Sequence, residues 1–303
     1  MTKELYSNGK LLLTAEYAIL DGAKGLALPT KFGQYLKLSH QDSETFEWVS
    51  IDDTNKPWFS ATFSKIDFKI LNTTDKNISN RLVQILSEAK KLNPSFLSNP
   101  SDYNNIEAKL TFPTNWGLGS SSTLIANIAE WAQVDPYQLL ASTFGGSGYD
   151  VACAQHNTPI VYQNNMYKPV VTTLNFHPLF SNQLFFIYLN QKKNSRDAIR
   201  AYRNVNFDKL DLISKIDAIT DRIIKCTQLK EFELLLNTHE HIISETLKTP
   251  TIKEQLFSDY TGTIKSLGAW GGDFILATGS ENEMDYFKEK GYATILPYKK
   301  MIL

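Results

Sequence analysis

The segment Gly117-Leu118-Gly119-Ser120-Ser121-Ser122 constrains this chain more than any other stretch of it. It follows an alternating apolar run, Ile106, Ala108, Leu110 and Phe112, that Pro113 closes, and it precedes Leu124, Ile125, Ile128, Ala129 and Ala132, which share one helical face. The segment is therefore the loop between a strand and an amphipathic helix. It sets backbone N–H groups and three hydroxyls at a helix N-terminus, where unpaired donors and the helix dipole favour phosphate. A Walker loop requires a lysine that is missing here, and a dinucleotide fingerprint requires a third glycine where Ser122 stands. Two readings stay open: a phosphate nest lined by serines, and a serine-capped helix after a glycine turn.

Two other glycine segments have the same ambiguity. Gly268-Ala269-Trp270-Gly271-Gly272-Asp273 precedes a strand-like run over residues 274–278, so it either brings bare backbone against a ligand or makes a tight turn. Gly145-Gly146-Ser147-Gly148-Tyr149-Asp150 precedes the apolar Val151-Ala152-Cys153-Ala154, and its acid is either a helix cap or a catalytic carboxylate. Near the start, Asn8-Gly9-Lys10 opens two short apolar pieces, residues 10–14 and 17–20, that Asp21-Gly22 closes like a hairpin.

Strand patterns at 34–39 and 45–50, a helical pattern at 78–92 and a helix from Asp135-Pro136 mix both element types in the first half. The second half gives a strand at 183–190, helices through Leu210 to Ile223 and through 232–247, a strand at 274–278, a helix at 281–290 and a strand at 293–298. That order suits a split βαβ, ferredoxin-like layer. With 303 residues and no low-complexity linker, two domains are expected, 1–178 and 179–303.

Net charge −1 without a basic block gives no electrostatic footprint for nucleic acid. No apolar run approaches a bilayer span, and no signal peptide is read at the start. Two cysteines without CxxC spacing indicate neither a disulfide framework nor zinc, so a cytoplasmic protein with small-molecule partners is expected. His239 and His241, two apart on a predicted helix, point in different directions and do not share a metal.

Taken in order, the glycine segments together with Lys10 resemble the GHMP kinases, the superfamily of galactokinase, homoserine kinase, mevalonate kinase and phosphomevalonate kinase. Gly9-Lys10-Leu11-Leu12-Leu13-Thr14-Ala15-Glu16-Tyr17-Ala18-Ile19-Leu20 matches the first motif, residues 113–122 the second and 268–273 the third, so the resemblance covers nearly the whole chain. Ser147-Gly148-Tyr149-Asp150-Val151-Ala152 and the closing Gly271-Gly272-Asp273 look most like phosphomevalonate kinases, with mevalonate kinases next.

The resemblance implies an α+β, two-domain GHMP kinase fold, with an N-terminal domain like ribosomal protein S5 domain 2 and a ferredoxin-like C-terminal domain. It implies a phosphotransferase using ATP and Mg²⁺, with Lys10 and Asp150 as catalytic residues. Gly117, Leu118, Gly119, Ser120, Ser121, Ser122, Gly271 and Gly272 would hold the ATP phosphates, with Ser121 on the metal, and Glu16, Ser147 and Gly148 would meet the acceptor. A homodimer is compatible with this. Lys192, Lys193, Ser195 and Arg196 are acceptor contacts or a solvated loop. Two departures stand out: residues 139–144 lack the acid that completes the Mg²⁺ site in mevalonate kinases, and Trp270 replaces a glycine, either to stack on a ligand or to narrow the site. A GHMP kinase for another small alcohol or sugar, and a non-catalytic nucleotide-binding relative, are the alternatives.

Overall fold

The computed structural model describes residues 2–99, 101–165, 168–192 and 195–303, without the side chains of residues 195 and 196. Two compact units form. The first comprises Met1–Gly9, Phe32–Thr114 and Leu118–Gln155, and the second Lys10–Lys31, Asn115–Gly117 and His156–Leu303. The expected second domain, 179–303, lies wholly inside the second unit, which also takes in earlier segments. Strands β1 (Thr2–Leu12) and β2 (Gly25–Ser39) each contribute residues to both.

In the first unit β2 is followed by β3 (Thr45–Ile51), β4 (Pro57–Ser64), β5 (Ile70–Thr73), helix α1 (Lys76–Leu92), β6 (Asn105–Leu110) and helices α2 (Ser120–Ala132), α3 (Pro136–Thr143) and α4 (Tyr149–Ala154). The strands lie in the order β5-β4-β3-β6-β2, with β3 and β6 parallel and the other pairs antiparallel. Alternation sets the buried face: Phe46 and Trp48 on β3, Phe59, Ala61 and Phe63 on β4, and Ile106 and Ala108 on β6 pack against Leu82, Ile85 and Leu86 of α1 and Ile125, Ile128 and Ala129 of α2. Asp75 caps α1 by accepting from Asn77 and Ile78 N–H.

Buried polar bonds fix α2 on this sheet. Asn127 Nδ2 donates to Gln34 O at 2.9 Å, Ser7 Oγ donates to Asn127 Oδ1 at 2.9 Å, and Thr123 Oγ1 donates to Gln34 Oε1 at 2.8 Å. Every member has a partner, which makes such a network specify one helix position.

In the second unit Gly25, Leu26 and Ala27 of β2 pair with β7 (Ile160–Gln163), which pairs with β8 (Val170–Thr173). There follow β9 (Leu184–Tyr188), α5 (Ser195–Arg203), α6 (Lys209–Lys225), α7 (Leu229–Leu247), α8 (Ile252–Leu256), β10 (Ile264–Leu267), β11 (Phe274–Thr278), α9 (Asp285–Glu289), β12 (Ile295–Pro297) and α10 (Tyr298–Met301). The last four strands make one antiparallel sheet, β10-β11-β9-β12, with the split order expected of a ferredoxin-like layer. Phe185, Ile187, Ile264, Ile275, Phe257 and Phe287 form its core. Among the described residues no helix is long and apolar enough to cross a membrane.

One local expectation changes. Residues 17–20, read as a second hairpin strand, form a 3-10 helix, Ala18–Asp21. Ala15 and Tyr17 turn the chain with φ of 73° and 57°, a conformation that costs a non-glycine residue about 1 kcal/mol or more. Tertiary bonds offset it: His239 Nε2 accepts from Ala15 N–H at 2.9 Å, and Tyr17 OH accepts from Trp270 N–H at 2.6 Å.

Candidate functional site

The second motif opens α2 through two left-handed glycines, Gly117 (φ 67°) and Gly119 (φ 92°), the latter at the N-cap with no side chain to cap the first turn. Free N–H groups of that turn are thus left for a ligand. Ser120 and Ser121 hydroxyls make no protein hydrogen bond among the described residues, whereas Ser122 is buried and its Oγ donates to Gly119 O at 3.1 Å. The three serines therefore divide: two are available to a ligand, one braces the turn. Leu118 is wholly buried and anchors the loop, so only its backbone faces any ligand.

Asp150 stands in the first turn of α4, behind Gly148, whose φ of 89° makes the sharp entry. No cap bond forms. Asp150 Oδ1 is buried without a hydrogen-bond partner, an uncompensated acceptor that costs about 1–3 kcal/mol. Ser147 and Gly148 lie immediately before this turn, and α4 packs on α2 within the first unit.

In the second unit Lys10 is buried on β1, and its Nζ donates to Gly117 O at 3.5 Å, so the first and second motifs meet there. The third motif runs from Gly268 (φ 82°) through Gly271 (φ 67°). A methyl on Gly272 would overlap Ala269 O, so this glycine serves the tight turn. Gly271 O accepts from Gln191 Nε2 at 2.9 Å. Trp270 is buried, and its indole N–H donates to Pro250 O at 3.1 Å, which makes it an anchor of the loop instead of a stacking platform.

Glu16, the residue expected at the acceptor, stands in a buried charge cluster of the second unit. It is 2% exposed and is held by Lys265 of β10, which donates to Glu16 Oε1, while Glu240 Oε1 of α7 lies 2.9 Å from the same ammonium in a charge contact not directed as a hydrogen bond. Burial pushes the Glu16 carboxyl up to about 7 against the pull of Lys265. Burial and then Lys265 hold the His239 imidazole below its ordinary range, and its Nε2 already accepts Ala15 N–H, so the 3.3 Å approach to Glu16 Oε2 is not an ion pair. Two carboxylates face one ammonium.

A pH dependence follows. Glu16 carries its proton in the folded chain between pH 4.5 and about 7 but loses it on unfolding, so its contribution to stability is present below pH 4.5 and is lost as pH rises to about 7. The amount is about 3 kcal/mol. Denaturant titrations across this window should show a downward slope that Glu16→Gln abolishes; equal slopes in both proteins would contradict it.

Of the remaining acceptor candidates, Lys193 and the side chains of Ser195 and Arg196 lie outside the described residues, and Lys192 is exposed. No cluster of three or more metal-binding side chains occurs among the described residues. A Mg²⁺-nucleotide site does not need one, since Mg²⁺ is typically held by one or two carboxylates plus phosphates. Free Ser121 Oγ and unpartnered Asp150 Oδ1, both in the first unit, are oxygens that suit such a group.

No protein-family model matches the sequence, and no curated protein matches it either. Solved structures do match over almost the whole chain. The mevalonate kinase of Methanococcus jannaschii superposes with a TM-score of 0.69 at 16% identity, covering 97% of this chain and 96% of its own. The fold is that of the GHMP kinases. Two further members of that fold agree: Streptococcus pneumoniae phosphomevalonate kinase, solved with phosphomevalonate and AMPPNP (TM-score 0.66, 13% identity, 95% of each chain), and Lactococcus lactis galactokinase, solved with galactose (0.66, 12%, 95% of this chain and 88% of that one). Within this GHMP-kinase fold, sequence analysis missed the Lys265–Glu240–His239 surroundings of Glu16. It also gave no role to Asp273, although its place beside Gly271-Gly272 was visible.

Proposed function

We propose that this chain is an ATP- and Mg²⁺-dependent kinase of small molecules, acting on phosphomevalonate or mevalonate. The observation that carries the proposal is the serine-bearing turn at α2: left-handed glycines, an uncapped helix N-terminus and two free hydroxyls, in a chain with the GHMP-kinase fold. Phosphoryl transfer asks chiefly for positioning and charge neutralisation. The α2 turn would bind the phosphates, with Ser121 toward the metal, and Lys10 would neutralise charge on the moving group. Mg²⁺ would supply further neutralisation of the phosphate oxygens. Asp150 would orient the acceptor oxygen, and would remove a proton when that oxygen is an alcohol. Ser147 and Gly148, and Ser195 and Arg196 of α5, would contact the acceptor. The division at residues 178/179 and a cytoplasmic location belong to the same proposal; Cys153 and Cys226 are buried and not joined in a disulfide, which suits a reducing compartment.

A kinase for another small alcohol or sugar is the second reading. It is favoured by Trp270, which fills a position in the third loop that a glycine would leave open. Purified protein with ATP, Mg²⁺ and a panel of phosphomevalonate, mevalonate, galactose and other alcohols should release ADP with one of the first two, and mass measurement should show a product 80 Da heavier, about the mass of one added phosphoryl group. ADP release only with a sugar would favour the second reading; release with none, while ATP binds, would indicate a non-catalytic relative.

A further inference from the structure

Asp273 closes the third motif and is nine-tenths buried, yet neither the expected phosphate contacts nor the expected metal contact uses it. Its carboxylate fills the space where a Cβ of Gly117 would lie, and a Cβ on Gly268 would come within 3.6 Å of its Oδ2. These two glycines belong to the second and third motifs, and both take left-handed φ. The carboxylate is thus clasped by the two loops, with the backbone held because Asp273 O accepts from Leu189 N–H at 2.9 Å. The Lys10 ammonium donates to the carbonyl of the same Gly117, so one residue of the phosphate loop meets both a cation and an anion, all inside the second unit.

A carboxylate is a poor neighbour for a triphosphate. Two anions at short range in a desolvated site repel, unless a cation lies between them. Lys10 brings a single positive charge to a tail that carries three or four. Mg²⁺ bridges phosphates while using one or two protein carboxylates, and α3 has no acid to provide one, since Pro136–Thr143 reads PYQLLAST. We propose that Asp273 is a carboxylate that faces the nucleotide-bound Mg²⁺, directly or through one of its waters, so that nucleotide affinity depends on the metal through this residue. The inference rests on the kinase reading and deepens it.

The test is a binding measurement, independent of turnover. AMPPNP is titrated into wild type and Asp273→Asn by calorimetry, once with Mg²⁺ and once with EDTA, with thermal unfolding of each protein as the check on folding. Wild type should bind at least about tenfold more tightly with Mg²⁺. Asp273→Asn should lose most of that factor while binding at least as well as wild type in EDTA, where an anion has been removed beside the phosphates. Asp273→Glu, which keeps the charge, should restore part of the factor and stands in if the amide variant does not fold. An unchanged Mg²⁺ factor in folded Asp273→Asn would overturn the assignment. Failure of wild type to bind AMPPNP in either buffer would remove the kinase reading itself, and that result is distinct from the first.

Discussion

Lys265→Met is expected to lower the free energy of unfolding by about 3–5 kcal/mol, because removing one partner from a buried ion pair leaves charge uncompensated. Lys265 is wholly buried, and Glu16 and Glu240 beside it are 2% and 3% exposed. Without the ammonium the two buried carboxyl groups lose their shared partner, and the bond from Lys265 to Ser266 O at 2.7 Å goes with it. The effect should spread toward the third motif, since β10 runs directly into Gly268, and toward the first, since Glu16 lies between the strained Ala15 and Tyr17. Equilibrium denaturation measures the loss. A triple change, Glu16→Gln, Lys265→Met and Glu240→Leu, should recover a good part of it, because replacing a buried ionic group entire by neutral side chains is far less costly than breaking it. A single-variant loss below about 1 kcal/mol would mean that the ammonium does not hold this cluster together.

This cluster also marks where sequence reasoning stopped. The helices α1, α2, α6 and α7 were legible because their apolar residues recur with helical period and face one core, as Leu82, Ile85, Leu86 and Ala89 do. Strand β10 was not, because its four residues are all buried yet two of them are Lys265 and Ser266, so the apolar alternation that signals a strand is absent. Burial of that lysine depends on partners on α7 and in the first motif, and the Ala15–His239 bond alone spans 224 positions. No local pattern reports such a pairing. Strand β8, Val-Val-Thr-Thr, is short and mostly exposed, and α5 carries the charges of Arg196, Asp197, Arg200 and Arg203 within nine residues, which leaves little apolar period to signal a helix. At the site, the chemistry of the α2 turn was legible from glycine and serine spacing. The division of labour among the serines was not, since Ser122 is set apart only by the direction of its hydroxyl toward Gly119.

Asp150→Ala is expected to separate stability from function. A side chain kept for the fold would lower stability when removed, but Asp150 Oδ1 has no hydrogen-bond partner, and the carboxylate caps nothing at the start of the six-residue α4. Removing it should therefore leave the unfolding free energy unchanged or raise it by up to about 1 kcal/mol, the sign expected when a buried acceptor without a donor is deleted. Turnover with the acceptor that the panel identifies should fall by about 10²–10⁴, the range for loss of a positioned acid–base group, while AMPPNP affinity changes little. A small drop in kcat would fit a phosphate-monoester acceptor, whose oxygen is already anionic and needs orientation more than deprotonation, and a large one an alcohol. The size of the defect then carries information about the acceptor that the fold does not. Parallel losses of stability and nucleotide binding would instead make Asp150 a structural residue, and full turnover by the folded variant would end its catalytic role.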